Sequence, residues 1–186
     1  MILNELTLAS GEWVLLALLC VVLVVDLFVE YKKRIITYWL TLTTLAITAL
    51  SVVTNAPESA SLIFSGSYVS DELSVLLKTV SIISTAVIVF YSKEYLINNK
   101  LLKGEFFILV LFGLLGVMIM ISANSLLVMY LGLETLALSL YALVALDRNS
   151  SIAAESAMKY FILGAIASGS LLYLSLIHIS EPTRPY

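Results

Sequence analysis

Residues 106–133 read FFILVLFGLLGVMIMISANSLLVMYLGL and contain no charged side chain. Residues 35–57 and 160–180 are likewise free of Asp, Glu, Lys and Arg. About 20 apolar residues are enough for an α-helix to cross the hydrocarbon core of a bilayer. A segment that crosses alone is helical, because lipid offers no other partner for its backbone N–H and C=O groups. The three stretches therefore predict an all-α, polytopic integral membrane protein.

The composition of the whole chain agrees with this prediction. Of its 186 residues, 61% are hydrophobic and only 12% are charged, whereas soluble domains are roughly 45–50% apolar and roughly 25% charged. The net charge of −3 offers no basic surface for nucleic acid. Cys20 is the only cysteine, which excludes an internal disulfide and a metal site built from several thiolates.

The apolar segments and the turn-forming residues between them divide the chain into one domain with six spans. The predicted spans are about 13–29, 36–53, 73–91, 106–121, 125–146 and 154–174. The longest connection, 54–72, contains Asn55, Pro57, Gly66 and several serines. These residue types favour turns, so we predict a loop there.

The lysines and arginines of the loops all fall on one side of the predicted bundle. They lie in the connections between spans one and two, three and four, and five and six: Lys32, Lys33, Arg34, Lys93, Lys100, Lys103 and Arg148. The N-terminus and the other two connections carry none. Loops rich in lysine and arginine remain in the cytoplasm, so we predict that the N-terminus lies outside.

Glu134 lies near the middle of the fifth predicted span, roughly 14 to 18 Å from either end at 1.5 Å per residue. A glutamate side chain cannot reach water over that distance, and a charged carboxylate at mid-membrane costs at least about 2.5 kcal/mol. The carboxyl group is therefore either neutral or close to a cation, and both states let it hold and release a proton. The structural alternative is a protonated Glu134 that only hydrogen-bonds a neighbouring helix.

Two lysines also lie within predicted spans. Lys159 is about one turn into span six, and Glu155 precedes it by four residues, the favourable order for an ion pair on one helix face. Lys78 is one to two turns into span three, after Asp71 and Glu72. The structural alternative for either lysine is that it extends to the membrane surface. With the central glutamate they provide the groups of a proton relay, so the residues alone predict ion or proton translocation.

The most specific strings of the sequence lie in spans five and six. LGLETLALSLYALVAL (Leu131–Leu146), followed by AAESAMKYFILGAIASG (Ala153–Gly169), resembles the family of subunit N of the proton-translocating NADH:quinone oxidoreductase, respiratory complex I. This family corresponds to subunit 2 of the mitochondrial NADH dehydrogenase and is related to the multi-subunit cation/proton antiporters. The resemblance extends over about residues 1–173.

The resemblance implies an antiporter-like fold of fourteen helices, of which this chain contains the first six. Glu134 matches the family's helix-five glutamate by its GLE motif, and Lys159 matches the helix-six lysine by its KYF motif. The helix-seven lysine that pairs with the glutamate has no counterpart in this chain. NADH, FMN, the iron–sulfur clusters and the quinone are then expected in other subunits, with no cofactor in this chain. The expected partners are other membrane subunits of complex I and the lipid bilayer.

The C-terminal residues 175–186 depart from the family's pattern. They read SLIHISEPTRPY and include the only histidine, His178, and two of the three prolines. The apolar helical pattern ends there, and the string resembles translated sequencing-adaptor sequence. We therefore predict that residues 175–186 are not native, and we assign no role to His178, Glu181 or Arg184.

The expected function is proton translocation coupled to electron transfer from NADH to quinone, with Glu134, Lys159 and Lys78 as the proton-carrying residues. We expect a bacterial plasma membrane rather than the mitochondrial inner membrane. One alternative is a subunit of a multi-subunit cation/proton antiporter, which shares the fold and the buried charges. A second alternative is a non-catalytic membrane scaffold, in which buried charges only specify how helices pair.

Overall fold

A computed structural model describes residues 7–29, 35–57, 60–99 and 101–180, with side chains up to residue 175. Its long helices are α1 (Ser10–Phe28), α2 (Ile35–Thr54), α3 (Glu72–Asn98), α4 (Gly104–Ile121), α5 (Leu126–Val144) and α6 (Ser151–Ser180). In the described part of the chain, these six helices are long and apolar enough to cross a membrane. The prediction of an all-α, multi-pass membrane protein with six spans is confirmed.

Two helices extend clearly beyond the predicted bounds. α3 continues past residue 91 to Asn98, because no glycine or proline interrupts this stretch and Leu96 is buried against the core. α6 begins at Ser151, where the hydroxyl of Ser150 accepts a hydrogen bond from the Ala153 N–H. It ends at Ser180, beyond the predicted residue 174. Residues 181–186 lie outside the described residues, so the non-native origin of the tail stays a prediction.

α4 lies at the centre of the bundle. In the most apolar 18-residue stretch of α4, 44% of the residues are buried, whereas only 6% are buried in the most apolar 18-residue stretch of α6. It packs against α1, α3 and α5, and its side chains Phe107 and Leu111 are fully buried together with Leu15 and Leu19 of α1. α6 packs against α5 at the edge of the bundle. Most of its surface is therefore free to face lipid or further protein.

A β-hairpin connects α2 and α3, where the sequence predicted only a loop. Strands β1 (Ser61–Ile63) and β2 (Tyr68–Ser70) are antiparallel, with Leu62 opposite Val69. The turn between them places Gly66 at a φ of 84°, a left-handed conformation that glycine adopts without a Cβ clash. The Val69 N–H donates to the Ser122 carbonyl at 2.8 Å, so the hairpin is fixed to the turn between α4 and α5.

The described connections at the two ends of the bundle differ in their lysine and arginine content. We call the end with residues 55–57, 60–71 and 122–125 the hairpin end, and the end with residues 99, 101–103 and 145–150 the basic end. At the basic end, Arg148 makes two 2.9 Å contacts with the Glu105 carboxylate. Lys103 Nζ donates to the Leu146 carbonyl at 2.8 Å. The connections between spans three and four and between spans five and six therefore meet at one end, as the charge pattern predicted.

Candidate functional site

Glu134 occupies the middle of α5. The helix begins at Leu126 because the Ser125 side chain caps it and accepts from the Val128 N–H. At 1.5 Å per residue, Glu134 is then roughly 12 Å from Leu126 and 15 Å from Val144. Its side chain is half-buried, and among the described residues its buried oxygen Oε1 has no hydrogen-bond partner. Buried polar atoms are nearly always hydrogen-bonded, so the carboxyl group has capacity for a further proton or partner.

A close contact between two helix backbones fixes α5 near this carboxyl group. Gly132, two residues before Glu134, faces Gly116 of α4. A Cβ on Gly116 would lie 2.7 Å from the Gly132 carbonyl oxygen, and a Cβ on Gly132 would lie 2.8 Å from the Gly116 carbonyl oxygen. Small residues allow helices to approach this closely in a membrane. The glutamate is therefore carried by a rigid part of the bundle.

Aromatic rings join α5 to α6 on the face of α5 that carries Tyr141. The Tyr141 ring packs edge-on against Tyr160 of α6, with centroids 4.9 Å apart, and against Phe161 at 5.6 Å. Its hydroxyl lies against Gly164, where a Cβ would clash with it. Tyr141 follows Glu134 by seven residues, about two helical turns, so the two side chains share a face of α5.

Lys159 lies on an open face of α6. Its Nζ is 2.6 Å from Glu155 Oε1, and the two side chains are 71% and 67% exposed. The predicted pair between residues four apart on one helix face is present. Within the described residues, Lys159 forms its ion pair with Glu155 and forms none with Glu134.

Lys78 is deeply buried at the hairpin end, and its ion pair is with Glu12 rather than with the upstream acids Asp71 and Glu72. Its Nζ lies 2.7 Å from Glu12 Oε1 of α1, and the side chains are only 4% and 11% exposed. The same ammonium donates a 2.8 Å hydrogen bond to the Tyr68 hydroxyl of β2. Asp71 instead caps α3, where its carboxylate accepts from the Ser74 N–H at 2.8 Å.

Sequence reasoning missed Glu12 and Tyr68 as partners of Lys78. The available signal was an acid in the first turn of α1, where the helix dipole stabilises a negative charge. Burial, and next the negative charge of Glu12, raise the pKa of the Tyr68 phenol above its ordinary value. Tyr68 therefore stays protonated beside the ion pair at every physiological pH.

The chemistry of these groups is acid–base chemistry. Within the described residues no group of three or more His, Cys, Asp and Glu side chains is arranged to hold a metal ion. Among the buried or half-buried ionisable side chains, Glu134 lies at mid-helix, whereas Glu12 and Lys78 form an ion pair at the hairpin end.

Comparison with known proteins identifies the family of the chain. Residues 123–181 match a family model described as the membrane part of NADH:quinone oxidoreductase and Mrp antiporters. NADH-quinone oxidoreductase subunit N of Thioalkalivibrio sulfidiphilus is 50% identical over 162 residues, which are 87% of this chain and 34% of that protein. The chain belongs to the subunit N family.

Two further members of the subunit N family agree over nearly the same length. The protein of that name from Nitrosomonas europaea is 46% identical over 172 residues, 92% of this chain and 36% of the relative. The one from Alkalilimnicola ehrlichii is 50% identical over 180 residues, 95% of this chain and 36% of the relative. The chain thus spans about a third of the length of the curated relatives it matches. The family that the GLE and KYF motifs predicted is confirmed.

Proposed function

We propose that this chain is the first third of a proton-translocating subunit N of a bacterial NADH:quinone oxidoreductase. In this proposal, electron transfer from NADH to quinone in other subunits drives proton movement through the intact subunit. NADH, FMN, the iron–sulfur clusters and the quinone bind to those other subunits, and this chain carries no redox centre. Its partners are the neighbouring membrane subunits and the lipid of the bacterial plasma membrane.

The observation that carries the proposal is the Glu134 carboxyl group at mid-helix. An ionisable side chain at the centre of a membrane helix is costly and is usually functional. The buried oxygen without a partner in the described region and the rigid backbone contact beside it suit a group that accepts a proton in a fixed position. Glu134 is thus the central proton-carrying residue of this part of the subunit.

Lys159 and Lys78 are the other proposed proton carriers. Lys159 is on the open face of α6 with Glu155, where further helices of the full-length subunit would cover the pair. Covering this face would remove water from the lysine, and burial without water favours loss of its proton. Lys78 is already buried in this chain, with only 4% of its side chain exposed, and its ammonium pairs with Glu12.

The proposed orientation places the basic end in the cytoplasm. Arg148 and Lys103 lie at that end, and positively charged connections are retained on the cytoplasmic side. The hairpin end and the N-terminus then face the outside of the bacterial membrane. A cysteine introduced at exposed Leu62 should react with an impermeant maleimide from outside intact cells. Reaction only after the cells are broken would reverse the orientation.

A Glu134→Gln variant of the full-length subunit tests the function. The amide has nearly the shape of the acid but does not ionise. NADH-driven proton uptake into membrane vesicles should therefore fall while the complex still assembles. Glu94→Gln is the control, because Glu94 is an exposed acid near the end of α3. Normal proton uptake in the Glu134→Gln complex would show that this carboxyl group is not on the proton path.

A subunit of a multi-subunit cation/proton antiporter is the second candidate, because the matching family model covers both kinds of protein. It predicts proton movement driven by a sodium or potassium gradient in the absence of NADH. Proton movement that needs NADH and stops with an inhibitor of quinone reduction favours the oxidoreductase.

A non-catalytic scaffold is the third candidate. Its buried charges would act only in helix pairing, so neutral replacements at Glu134 and Lys159 would lower the amount of assembled complex. The complexes that do assemble would pump normally.

A further inference from the structure

The Glu12–Lys78 pair lies between a polar cavity and an apolar one. A cavity of about 10 Å³ touches both members of the pair and is lined by polar side chains of three other positions: Ser10, Asn55 and Ser70. A site of that size and polarity is large enough for one water molecule with two to four polar partners. Asn55 is exposed at the hairpin end, so this cavity leads from the buried ammonium toward the aqueous phase.

The other side of Glu12 is mainly apolar. There the carboxylate borders an open cavity of about 220 Å³, lined by Tyr68 and by nonpolar side chains that include Trp13, Phe64 and Leu115. Both oxygens of Glu12 are buried. A proton that leaves the pair toward water therefore has a polar route on one side only.

Burial brings the charged and neutral forms of the pair closer in energy. In water an ammonium and a carboxylate strongly prefer to remain charged, whereas removal from water penalises each charge. Proton transfer from Lys78 Nζ to Glu12 Oε1 spans a 2.7 Å contact and removes both charges at once. The Tyr68 hydroxyl, which accepts from Nζ, stabilises the charged lysine and thereby opposes this transfer.

We propose that Glu12, Lys78 and Tyr68 form a second proton-exchange site at the hairpin end, where a proton passes between the buried pair and outside water. An N–H bond of Lys78 breaks, the nitrogen keeps the electron pair, and an O–H bond forms at Glu12. The Glu12 acid then gives its proton to water in the polar cavity and becomes a carboxylate. A proton from the relay restores the Lys78 ammonium. This last step rests on the proposed function, while the exchange itself does not.

A double variant separates proton exchange from a purely structural ion pair. Glu12→Gln with Lys78→Met keeps the approximate side-chain sizes and leaves no buried charge without a partner. Replacing both members of a buried ion pair is often tolerated, whereas removing one is strongly destabilising. We expect the double variant to assemble in the full complex, to oxidise NADH, and to lose as much proton uptake per NADH as Glu134→Gln loses. The matched control is Glu105→Gln with Arg148→Met, which removes the exposed pair at the basic end.

Proton uptake at the control level in an assembled double variant would overturn the proposal. Loss of uptake in both the double variant and Glu134→Gln, with normal uptake in the control, would support it. If Glu134→Gln pumps normally, the proposed function fails. The infrared measurement described next then tests whether Glu12 exchanges a proton with outside water, independently of pumping.

The infrared measurement uses the unaltered full-length subunit in vesicles, with ¹³C-labelled glutamate. Lowering the outside pH should produce a labelled carboxylic-acid carbonyl band that is absent in Glu12→Asp, because aspartate carries no label. The Glu12→Asp variant keeps a carboxylate, so the comparison holds even where the double variant fails to assemble. Identical labelled bands in the two proteins would show that Glu12 does not exchange its proton with outside water.

Discussion

The contact between α4 and α5 at Gly116 leaves no room for a methyl group. A Cβ on Gly116 would lie 2.7 Å from the Gly132 carbonyl oxygen and 2.7 Å from the Leu136 backbone nitrogen, whereas ordinary contact begins at 3.4 Å. Both neighbours are backbone atoms, so they cannot rotate away. In a Gly116→Ala variant the α5 backbone has to move by roughly 0.7 Å, the difference between those two distances.

Gly113, one turn earlier on α4, provides the matched control. A Cβ there would meet Leu136 Cδ1 at 3.6 Å and Ser139 Cβ at 3.8 Å, which are ordinary contacts. Both substitutions gain the helix propensity of alanine over glycine, about 1 kcal/mol. Only Gly116→Ala adds overpacking, which typically costs about 1–3 kcal/mol. We therefore expect the free energy of unfolding of Gly116→Ala to be lower than that of Gly113→Ala by about 1–3 kcal/mol.

Unfolding of the full-length subunit in mild detergent, followed by circular dichroism, measures this difference. The same displacement moves Glu134, because Gly132 is two residues before it. Proton uptake in vesicles should therefore be lower in Gly116→Ala and normal in Gly113→Ala. Equal stability and equal uptake in the two variants would refute the close backbone contact as the feature that fixes Glu134.

Three further substitutions test other contacts. Asp71→Ala removes the N-cap of α3 and should lower the free energy of unfolding by about 1 kcal/mol; a chemical unfolding curve identical to that of the parent would contradict the cap. Arg148→Met breaks the ion pair with Glu105, whose members are 72% and 48% exposed. Exposed pairs contribute at most about 1 kcal/mol, so a larger loss in thermal unfolding would show that this pair is shielded from water. Tyr68 has a raised pKa, so above about pH 10 the unfolded phenol ionises while the folded one stays protonated. The free energy of unfolding should then fall more steeply with pH in the parent than in Tyr68→Phe, and equal slopes would be evidence against burial of the phenol.

The helices could be predicted from the sequence because a membrane span is specified locally. Each run of about 20 apolar residues contains its own signal, and the described helices fall on those runs. The hairpin could not be predicted in this way. Its strands have three residues each, too few to show an alternating pattern, and it is stabilised by distant contacts such as that of the Asn124 side chain with the Gly66 carbonyl.

In the candidate site, too, the sequence predicted contacts within one helix but not contacts between helices. Glu134 stood out because a single acid interrupts an apolar span, and the Glu155–Lys159 pair followed from helix geometry. The partner of Lys78 could not be inferred locally, because Glu12 is on a different helix. Asp71 is closer to Lys78 in sequence than Glu12 is, but its side chain caps α3. Pairing between distant helices depends on the packing of the whole bundle.

The ratio of protons taken up to NADH oxidised, measured in vesicles that contain the intact complex, tests proton transfer through Glu134 most directly. Glu134→Gln should lower this ratio, and Glu134→Asp, which keeps an ionisable group, should restore part of it. The transfer of a proton by a positioned group typically contributes a factor of ~10²–10⁴ in rate, so the uptake rate should fall at least about 100-fold where this subunit limits pumping. A parental ratio in an assembled Glu134→Gln complex would contradict the account.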